Sequence, residues 1–209
     1  MAYKTEQEEF WSGEFGDEYI GRNDDKKLLS SNVAFFSDII KRTVNVESVC
    51  EFGSNIGLNL KAIKTLLPDV RCSAVEINHR AADILRKDSF FENGIEVFEE
   101  SILDYESVRQ YDLVLIKGVL IHINPAELEN VYNKLYTASG RYICIAEYYN
   151  PSPVAINYRG NTDRLFKRDF AGEFMDKYPG CRLIDYGFKY HRDINFAQDD
   201  ITWFLLEKK

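Results

Sequence analysis

The stretch CEFGSNIGLNL (residues 50–60) joins an apolar run to a helical pattern and carries two glycines four positions apart. The preceding VESVCEF (46–52) is typical of a buried β-strand, and IGLNLKAIKTLL (56–67) has apolar residues at helical spacing. Gly53 and Gly57 therefore predict a tight strand-to-helix turn. Glycine permits positive φ and lets the backbone approach a ligand closely, so this turn is a candidate binding site.

Strand and helix patterns alternate along the rest of the chain. The strand patterns lie at 71–77, 95–101, 111–118 and 141–149, and the helix patterns at 79–88 and 125–139. This alternation predicts an α/β, Rossmann-like, mostly parallel sheet with helices on both faces. After a helix at 168–179, strand patterns at 181–191 and 200–209 predict a C-terminal hairpin whose last strand is antiparallel, which gives seven strands. Residues 151–170 are expected to form a long loop.

Composition narrows the class of protein. The 209 residues carry a net charge of -8, which argues against bulk nucleic-acid binding. We expect one domain (1–209), with an N-terminal helical lid (1–45) and a catalytic α/β core (46–209). The absence of an 18-residue apolar run and of a signal-peptide pattern predicts a cytoplasmic protein without membrane contact. Isolated cysteines and the lack of metal-ligand spacing predict no disulfide and no metal.

The turn fits some nucleotide ligands better than others. The dinucleotide fingerprint GxGxxG lacks its middle glycine here, and no Gly-Lys-Ser/Thr follows, as a phosphate-binding Walker loop requires. Glu76 ends the second predicted strand, 19 residues after Gly57. A carboxylate at that place accepts hydrogen bonds from ribose hydroxyls in nucleotide-binding sheets. The pattern therefore favours a nucleoside ligand over a dinucleotide.

Two resemblances make this prediction specific. The form E-x-G-x-x-x-G at 51–57 resembles motif I of class I S-adenosylmethionine (SAM) methyltransferases. EQEEFWSGEFGDEYIGRN (6–23), LLSSN (28–32) and LFKRDFAGEF (165–174) resemble the methylases associated with pseudaminic acid biosynthesis. The resemblance implies SAM as cofactor, S-adenosylhomocysteine (SAH) as product, and methylation of an O or N atom on a small acceptor. It also implies an acidic, sugar-related acceptor of the nonulosonic acid class.

The same resemblance places the cofactor site. Ser101 stands where the family reads adenine, although the family more often has aspartate there, and Ile102 covers the ring. Tyr19 and Asn32 from the lid are expected near the methionine carboxylate. The predicted cofactor-binding residues are Tyr19, Asn32, Glu51, Gly53, Ser54, Asn55, Gly57, Glu76, Ile77, Ser101, Ile102, Lys117 and Gly118.

Catalysis and acceptor binding are predicted beyond the fourth and fifth strands. A base for a hydroxyl or amine is sought among His122, His191 and Tyr158. Arginines in an acidic protein suit an anionic acceptor, although those at 164 and 168 have nearby acids as alternative partners. The predicted acceptor-binding residues are Trp11, Tyr148, Tyr149, Arg159, Arg164 and Arg168. Three alternatives stay open: methylation of an unrelated carboxylate or amine, a SAM-binding module without catalysis, and a nicotinamide reductase.

Overall fold

The computed structural model describes residues 3–21, 26–91, 94–158 and 160–209. The helices of this part of the chain are α1 Glu6–Ser12, α2 Glu14–Ile20, α3 Lys26–Ile40, α4 Leu58–Leu66, α5 His79–Arg86, α6 Leu128–Ala138 and α7 Phe170–Lys177. The strands are β1 Ser48–Phe52, β2 Arg71–Val75, β3 Glu96–Phe98, β4 Tyr111–Lys117, β5 Ser139–Glu147, β6 Val154–Tyr158, β7 Asn161–Lys167, β8 Cys181–Lys189 and β9 Ile201–Lys208.

Seven of these strands form the main sheet, in the order β3-β2-β1-β4-β5-β9-β8. β1 to β5 pair in parallel, and β9 runs antiparallel to both β5 and β8. This confirms the predicted sheet with its C-terminal hairpin. Phe52 pairs with Val75 on one side and with Ile116 on the other. The segments that follow β1, β2 and β4 therefore meet at one edge of the sheet.

Helices cover both faces of the sheet, as predicted. On one face α3 and α4 bury Phe35, Phe36 and Leu60 against β1 and β4. On the other face α6 and α7 bury Leu135 and Phe174. The parallel strands carry apolar side chains on both sides because both sides are covered. Over the described ranges, no helix combines the length and apolarity that crossing a bilayer requires.

The predicted loop at 151–170 is wrong, because this segment folds into a hairpin. β6 and β7 pair antiparallel in a separate two-stranded sheet, with Gly160 at the turn in positive φ (85°). Side chains 154–157 are exposed on β6. A strand with no buried face lacks the apolar alternation by which strands are recognised in a sequence, so the pattern gave no strand signal here.

Candidate active site

A cavity of about 620 Å³ opens at the carboxyl edge of the parallel strands. This is the edge at which open α/β sheets bind ligands. Its wall includes most of the predicted cofactor-binding residues: Tyr19, Asn32, Gly53, Ser54, Asn55, Glu76, Ile77, Ser101, Ile102, Lys117 and Gly118. It also includes four residues predicted for catalysis or for the acceptor: Trp11, His122, Tyr148 and Tyr158.

The glycine turn after β1 forms the floor of this cavity. Gly53 and Gly57 have φ of 77° and 76°, where side chains are strained. A Cβ at Gly53 would lie 2.6 Å from the Val119 Cγ2, so the turn also fits tightly against the segment after β4. Gly57 caps α4 without a side-chain hydrogen bond. The first N–H groups of α4 therefore have no side-chain acceptor from the cap.

Glu76 joins the turn to the next strand. One carboxylate oxygen accepts the backbone N–H of Asn55 (2.7 Å), and the other accepts that of Asn78 (2.8 Å). Burial raises the pKa of this carboxyl group, and the backbone N–H groups oppose that rise. Each oxygen retains a lone pair for a further donor. The carboxylate is thus fixed in place with two acceptor positions available to a diol.

Glu51 does not line the cavity, but its hydrogen-bond partner Asn59 does. Glu51 is fully buried in β1, and its Oε1 accepts the Asn59 side-chain amide (2.6 Å). Burial raises the Glu51 pKa to about 8. The Asn59 Oδ1 is buried at the cavity without a hydrogen-bond partner. Glu51 would therefore act on a ligand in the cavity only indirectly, through the Asn59 amide that it binds.

Lys117 lies at the end of β4, in the cavity wall. Its Nζ is 5.4 Å from the centre of the Phe35 ring. Burial lowers its pKa, while Glu51, Asp199 and Glu147 oppose that shift. Among the described residues that line the cavity, it is the one lysine or arginine. Over the described residues, the cavity wall therefore presents one basic side chain to a ligand carboxylate.

His122 follows β4 in a short 3₁₀ turn and is held in one tautomer. Its Nδ1 donates to the backbone carbonyl oxygen of Arg164 (2.6 Å). A carbonyl oxygen can only accept, so the ring proton lies on Nδ1 and the basic lone pair on Nε2. Burial lowers the His122 pKa to about 4. The ring is thus neutral at neutral pH and able to accept a proton through Nε2.

Glu147, at the end of β5, fixes the segment that carries His122. Its Oε1 accepts the backbone N–H groups of Val119 (3.0 Å) and Leu120 (2.9 Å). Burial raises its pKa to about 7, and these N–H groups oppose the rise. A buried carboxyl group that binds two successive N–H groups restricts the backbone before His122. Glu147 is therefore a positioning group for the histidine.

Aromatic side chains from the N-terminal helices cover the same end of the cavity. The Trp11 ring lies 4.7 Å from the His122 ring and 5.3 Å from that of Tyr19. Tyr158 of the β6–β7 hairpin lies 5.1 Å from His122 and 6.1 Å from Phe15. The helices and the hairpin thus meet above the histidine and limit the access of water to it.

Six of the described residues that were predicted for the site do not line the cavity. Glu51 meets it only through Asn59, and Gly57 is the turn residue that caps α4. His191 is exposed and pairs with Asp200 (2.8 Å), and Tyr149 is exposed beside Phe204. The two arginines form ion pairs: Arg164 with Glu6 (3.0 Å) and Arg168 with Glu173 (2.6 Å). Arg159 is outside the described residues. Functional roles for these residues stay predictions without support from the geometry.

Several polar residues of the cavity wall are missing from the sequence prediction: Gln7, Glu8, Asn59, Asn78, Asn124, Gln198 and Asp199. Gln198 donates to the Asn32 side chain (2.9 Å), which ties the β8–β9 loop to α3. Asn59 could have been found from the sequence, because it follows the glycine turn by two residues. The others come from loops or from α1, and their proximity arises from the tertiary fold.

A separate group of potential metal ligands lies on the surface. His79, Asp83 and Glu99 have ligand atoms within 4.8 Å of one another. Both carboxylates are already paired with Arg86, at 3.3 Å and 2.6 Å. Because a guanidinium competes for these oxygens, the group carries no metal proposal.

The residues of the cavity fit the methyl donor that the sequence predicts. Glu76 presents two fixed acceptors to a ribose, and the turn lies beside the first N–H groups of α4. The Ser54 Oγ and the Asn59 Oδ1 are buried without partners. Buried polar atoms rarely lack partners, so these atoms mark positions at which a polar ligand would complete the hydrogen bonding.

The sheet order, the antiparallel last strand and the position of the cavity define the fold of class I SAM-dependent methyltransferases. Along the full length of both chains, the protein is similar to magnesium protoporphyrin IX methyltransferase from Synechocystis PCC 6803 (TM-score 0.70, 11% identity, 100% of each chain). A SAM-dependent methyltransferase from Leishmania major matches 96% of this chain and 81% of its own (TM-score 0.70, 15% identity).

A third similar structure is that of the mitomycin 7-O-methyltransferase MmcR. It matches 100% of this chain and 62% of its own, with a TM-score of 0.69 and 11% identity. No protein-family model and no curated sequence matches the chain. At these identities, the structural similarity establishes the fold.

Proposed function

We propose that this chain is a SAM-dependent methyltransferase that methylates an O or N atom of a small acceptor. The observation that carries the proposal is the Glu76 carboxylate. It is anchored to the glycine turn and to the start of α5, in the same cavity as a neutral histidine of fixed tautomer. The fold, shared with known SAM-dependent enzymes, supports the same conclusion.

The donor half of the cavity would hold SAM through the turn, Glu76 and Asn59, with Lys117 near the amino-acid tail. Bound there, SAM supplies a methyl group on a positively charged sulfur. Ser54 and Asn59 contribute the polar atoms that lack partners within the protein. The glycines bring the backbone close to the ligand. The protein's task toward the donor is alignment, since the sulfonium supplies the activation.

On the acceptor side, we assign His122 as general base. Bound SAM would supply the methyl carbon that bonds to the acceptor oxygen or nitrogen, and its sulfur would keep the electron pair of the broken carbon–sulfur bond. The acceptor's proton passes to the His122 Nε2. The positive charge that then develops on the imidazole is stabilised by the hydrogen bond from Nδ1 to the Arg164 carbonyl. The rings of Trp11 and Tyr158 pack against His122 and exclude water from the site of this proton transfer.

The finer proposal concerns the acceptor, which we take to be anionic and related to nonulosonic acids. Its support is the sequence resemblance, since Lys117, the one lysine or arginine of the described cavity wall, is assigned to the amino-acid tail of SAM. The test is SAH formation with a panel of sugars in which each acidic member has a neutral analogue. Turnover limited to acidic members supports the proposal, and equal turnover of both kinds contradicts it.

The same panel separates an enzyme from a binding module. A methyltransferase releases SAH in proportion to a methylated acceptor, which mass spectrometry detects. Donor binding without turnover of any O or N acceptor would favour a SAM-binding module. The proposal of a nicotinamide reductase predicts binding of NADH instead.

We expect His122→Asn to lower kcat about 10²-fold or more, because positioned general bases contribute roughly 10²–10⁴. Affinity for SAH should stay within about twofold, since the proposed donor contacts do not include His122. His79→Asn is the matched control: it removes an exposed histidine outside the cavity. Unchanged kcat in His122→Asn would exclude the histidine as base.

His122 and His79 should titrate very differently. Burial holds the His122 pKa at about 4, so its ring should stay neutral, with the proton on Nδ1, from pH 8 to about 5. His79 is exposed, and its partner Glu99 raises its pKa, so it should be protonated already at pH 6. NMR titration of the imidazole signals measures both midpoints, and the signal that is missing in His122→Asn is assigned to His122. A His122 midpoint near 6.5 would contradict the buried, neutral base.

A further inference from the structure

Glu8 of α1 makes an unusual long-range contact with the segment after β3. Its side chain is buried, with 7% exposure. Oε2 accepts the backbone N–H groups of Lys4 (2.6 Å) and Thr5 (2.8 Å), which caps α1. Oε1 accepts the hydroxyl hydrogen of Ser101, 93 residues away in the chain. One carboxylate therefore both starts the helix and docks it on the sheet.

The bonding of Ser101 determines what this corner of the cavity can recognise. Its Oγ accepts the backbone N–H of Leu103 (3.0 Å), and its single hydrogen is donated to Glu8. The atoms that retain lone pairs are the Ser101 Oγ and the Glu8 Oε1, and both are acceptors. The same cavity wall carries apolar residues, among them Ile77, Ile102, Leu103 and Ile123. An apolar slot with an acceptor-only polar edge suits a flat base that carries an exocyclic amine.

We infer that Glu8 supplies the carboxylate that recognises the adenine amine of the methyl donor; the inference rests on the proposed function. The related family more often has aspartate at the position of Ser101. Here the serine is uncharged, and the carboxylate comes from α1 instead. The adenine contact would then consist of Glu8 and Ser101 together, with the glutamate as the charged and stronger acceptor.

This placement couples donor recognition to closure over the acceptor. Trp11 stands three residues after Glu8, on the same side of α1, and packs 4.7 Å from the His122 ring. α1 is also tied to the β6–β7 hairpin, since the Gln7 amide donates to the Asp163 carbonyl (3.0 Å). An adenine bound to Glu8 would therefore hold α1 against the cavity and keep Trp11 next to His122. Donor binding should come before productive acceptor binding.

Calorimetry on the full chain tests the inference with two ligands, SAH and S-inosylhomocysteine, whose base has a carbonyl in place of the amine. The wild-type chain should prefer SAH. Glu8→Ala should lower SAH affinity roughly 10- to 100-fold, as expected for a hydrogen bond to a charged group, and should bring the two affinities close together. Glu9→Ala, an exposed glutamate of the same helix, is the control and should behave as wild type.

A compensating pair separates recognition from loss of the helix cap. Ser101→Asp alone should weaken SAH binding, because two carboxylates would be adjacent. Combined with Glu8→Ala, the same aspartate should restore both the affinity and the preference for SAH. Wild-type binding of SAH with an unchanged preference in Glu8→Ala would overturn the inference alone. Absence of SAH binding to the wild-type chain would overturn the proposed function as well.

Discussion

Glu76→Gln should weaken binding of SAM and SAH by at least about 10²-fold. The carboxylate now accepts the Asn55 and Asn78 backbone N–H groups, each through one oxygen. Glutamine presents one acceptor and one donor, so one of these N–H groups would face an amide N–H₂. The proposed ribose contacts lose their charge at the same time, and a hydrogen bond to a charged group contributes about 1.5–3 kcal/mol. Calorimetry with SAH measures the change.

The matched control for Glu76→Gln is Glu99→Gln, at the end of the neighbouring strand. Glu99 is half-buried, pairs with His79 and Arg86, and lies outside the cavity. Its replacement should leave SAH affinity within about twofold of wild type. If both variants bound SAH equally well, Glu76 would have no part in donor binding.

Gly16→Ala should displace α2 from α1 and lower kcat/KM at least about tenfold. A Cβ at Gly16 would lie 1.9 Å from the carbonyl oxygen of Trp11 and 2.9 Å from the Asn78 Nδ2. The first of these atoms is backbone, so no rotamer change relieves the overlap and α2 must move away from α1. Trp11 and Tyr19 would move with the helices. Hydrogen exchange of residues 6–20 should rise, and turnover should fall.

Gly21→Ala is the control within the same segment. Gly21 has φ near -63°, and its added Cβ would lie 3.8 Å from the nearest heavy atom, an ordinary contact. This variant should keep wild-type exchange and turnover. The main core should survive in both variants, because Gly16 and Gly21 lie outside its two large clusters. Unchanged exchange in Gly16→Ala would contradict the proposal that α2 helps to cover the cavity.

The main sheet could be predicted because its strands are covered on both faces. Continuous apolar runs such as YDLVLIK (111–117) then signal buried strands, and the helices between them force parallel pairing. The positions of Gly53 and Glu76 follow from this topology, since residues after neighbouring parallel strands meet at one edge. The donor half of the cavity was therefore accessible from the sequence.

The β6–β7 hairpin and the contact of Glu8 were not accessible in this way. The hairpin exposes most of β6, so burial imposes no pattern on it. In the sequence, Glu8 is one of several acidic residues in a helix, and its partner Ser101 is distant in the chain. Local periodicity holds no information about such pairs. Tertiary packing determines them.

The arginines show why charge in a sequence is weak evidence for a ligand. Arg164 and Arg168 are near acids that they bind in the fold, Glu6 and Glu173. Glu173 is five residues from Arg168 and was foreseeable as its partner. Glu6 reaches Arg164 because α1 docks on the hairpin. An arginine near many acids is more often paired within the protein than reserved for a substrate.

Titration of SAH into the wild-type chain, followed by calorimetry, tests the central claim most directly. The account predicts one site per chain that binds SAH and SAM and shows no heat with NADH. Its glycine turn and Glu76 are suited to a nucleoside with an amino-acid tail. Absence of heat with both SAH and SAM, at protein concentrations where micromolar affinity is detectable, would contradict the account.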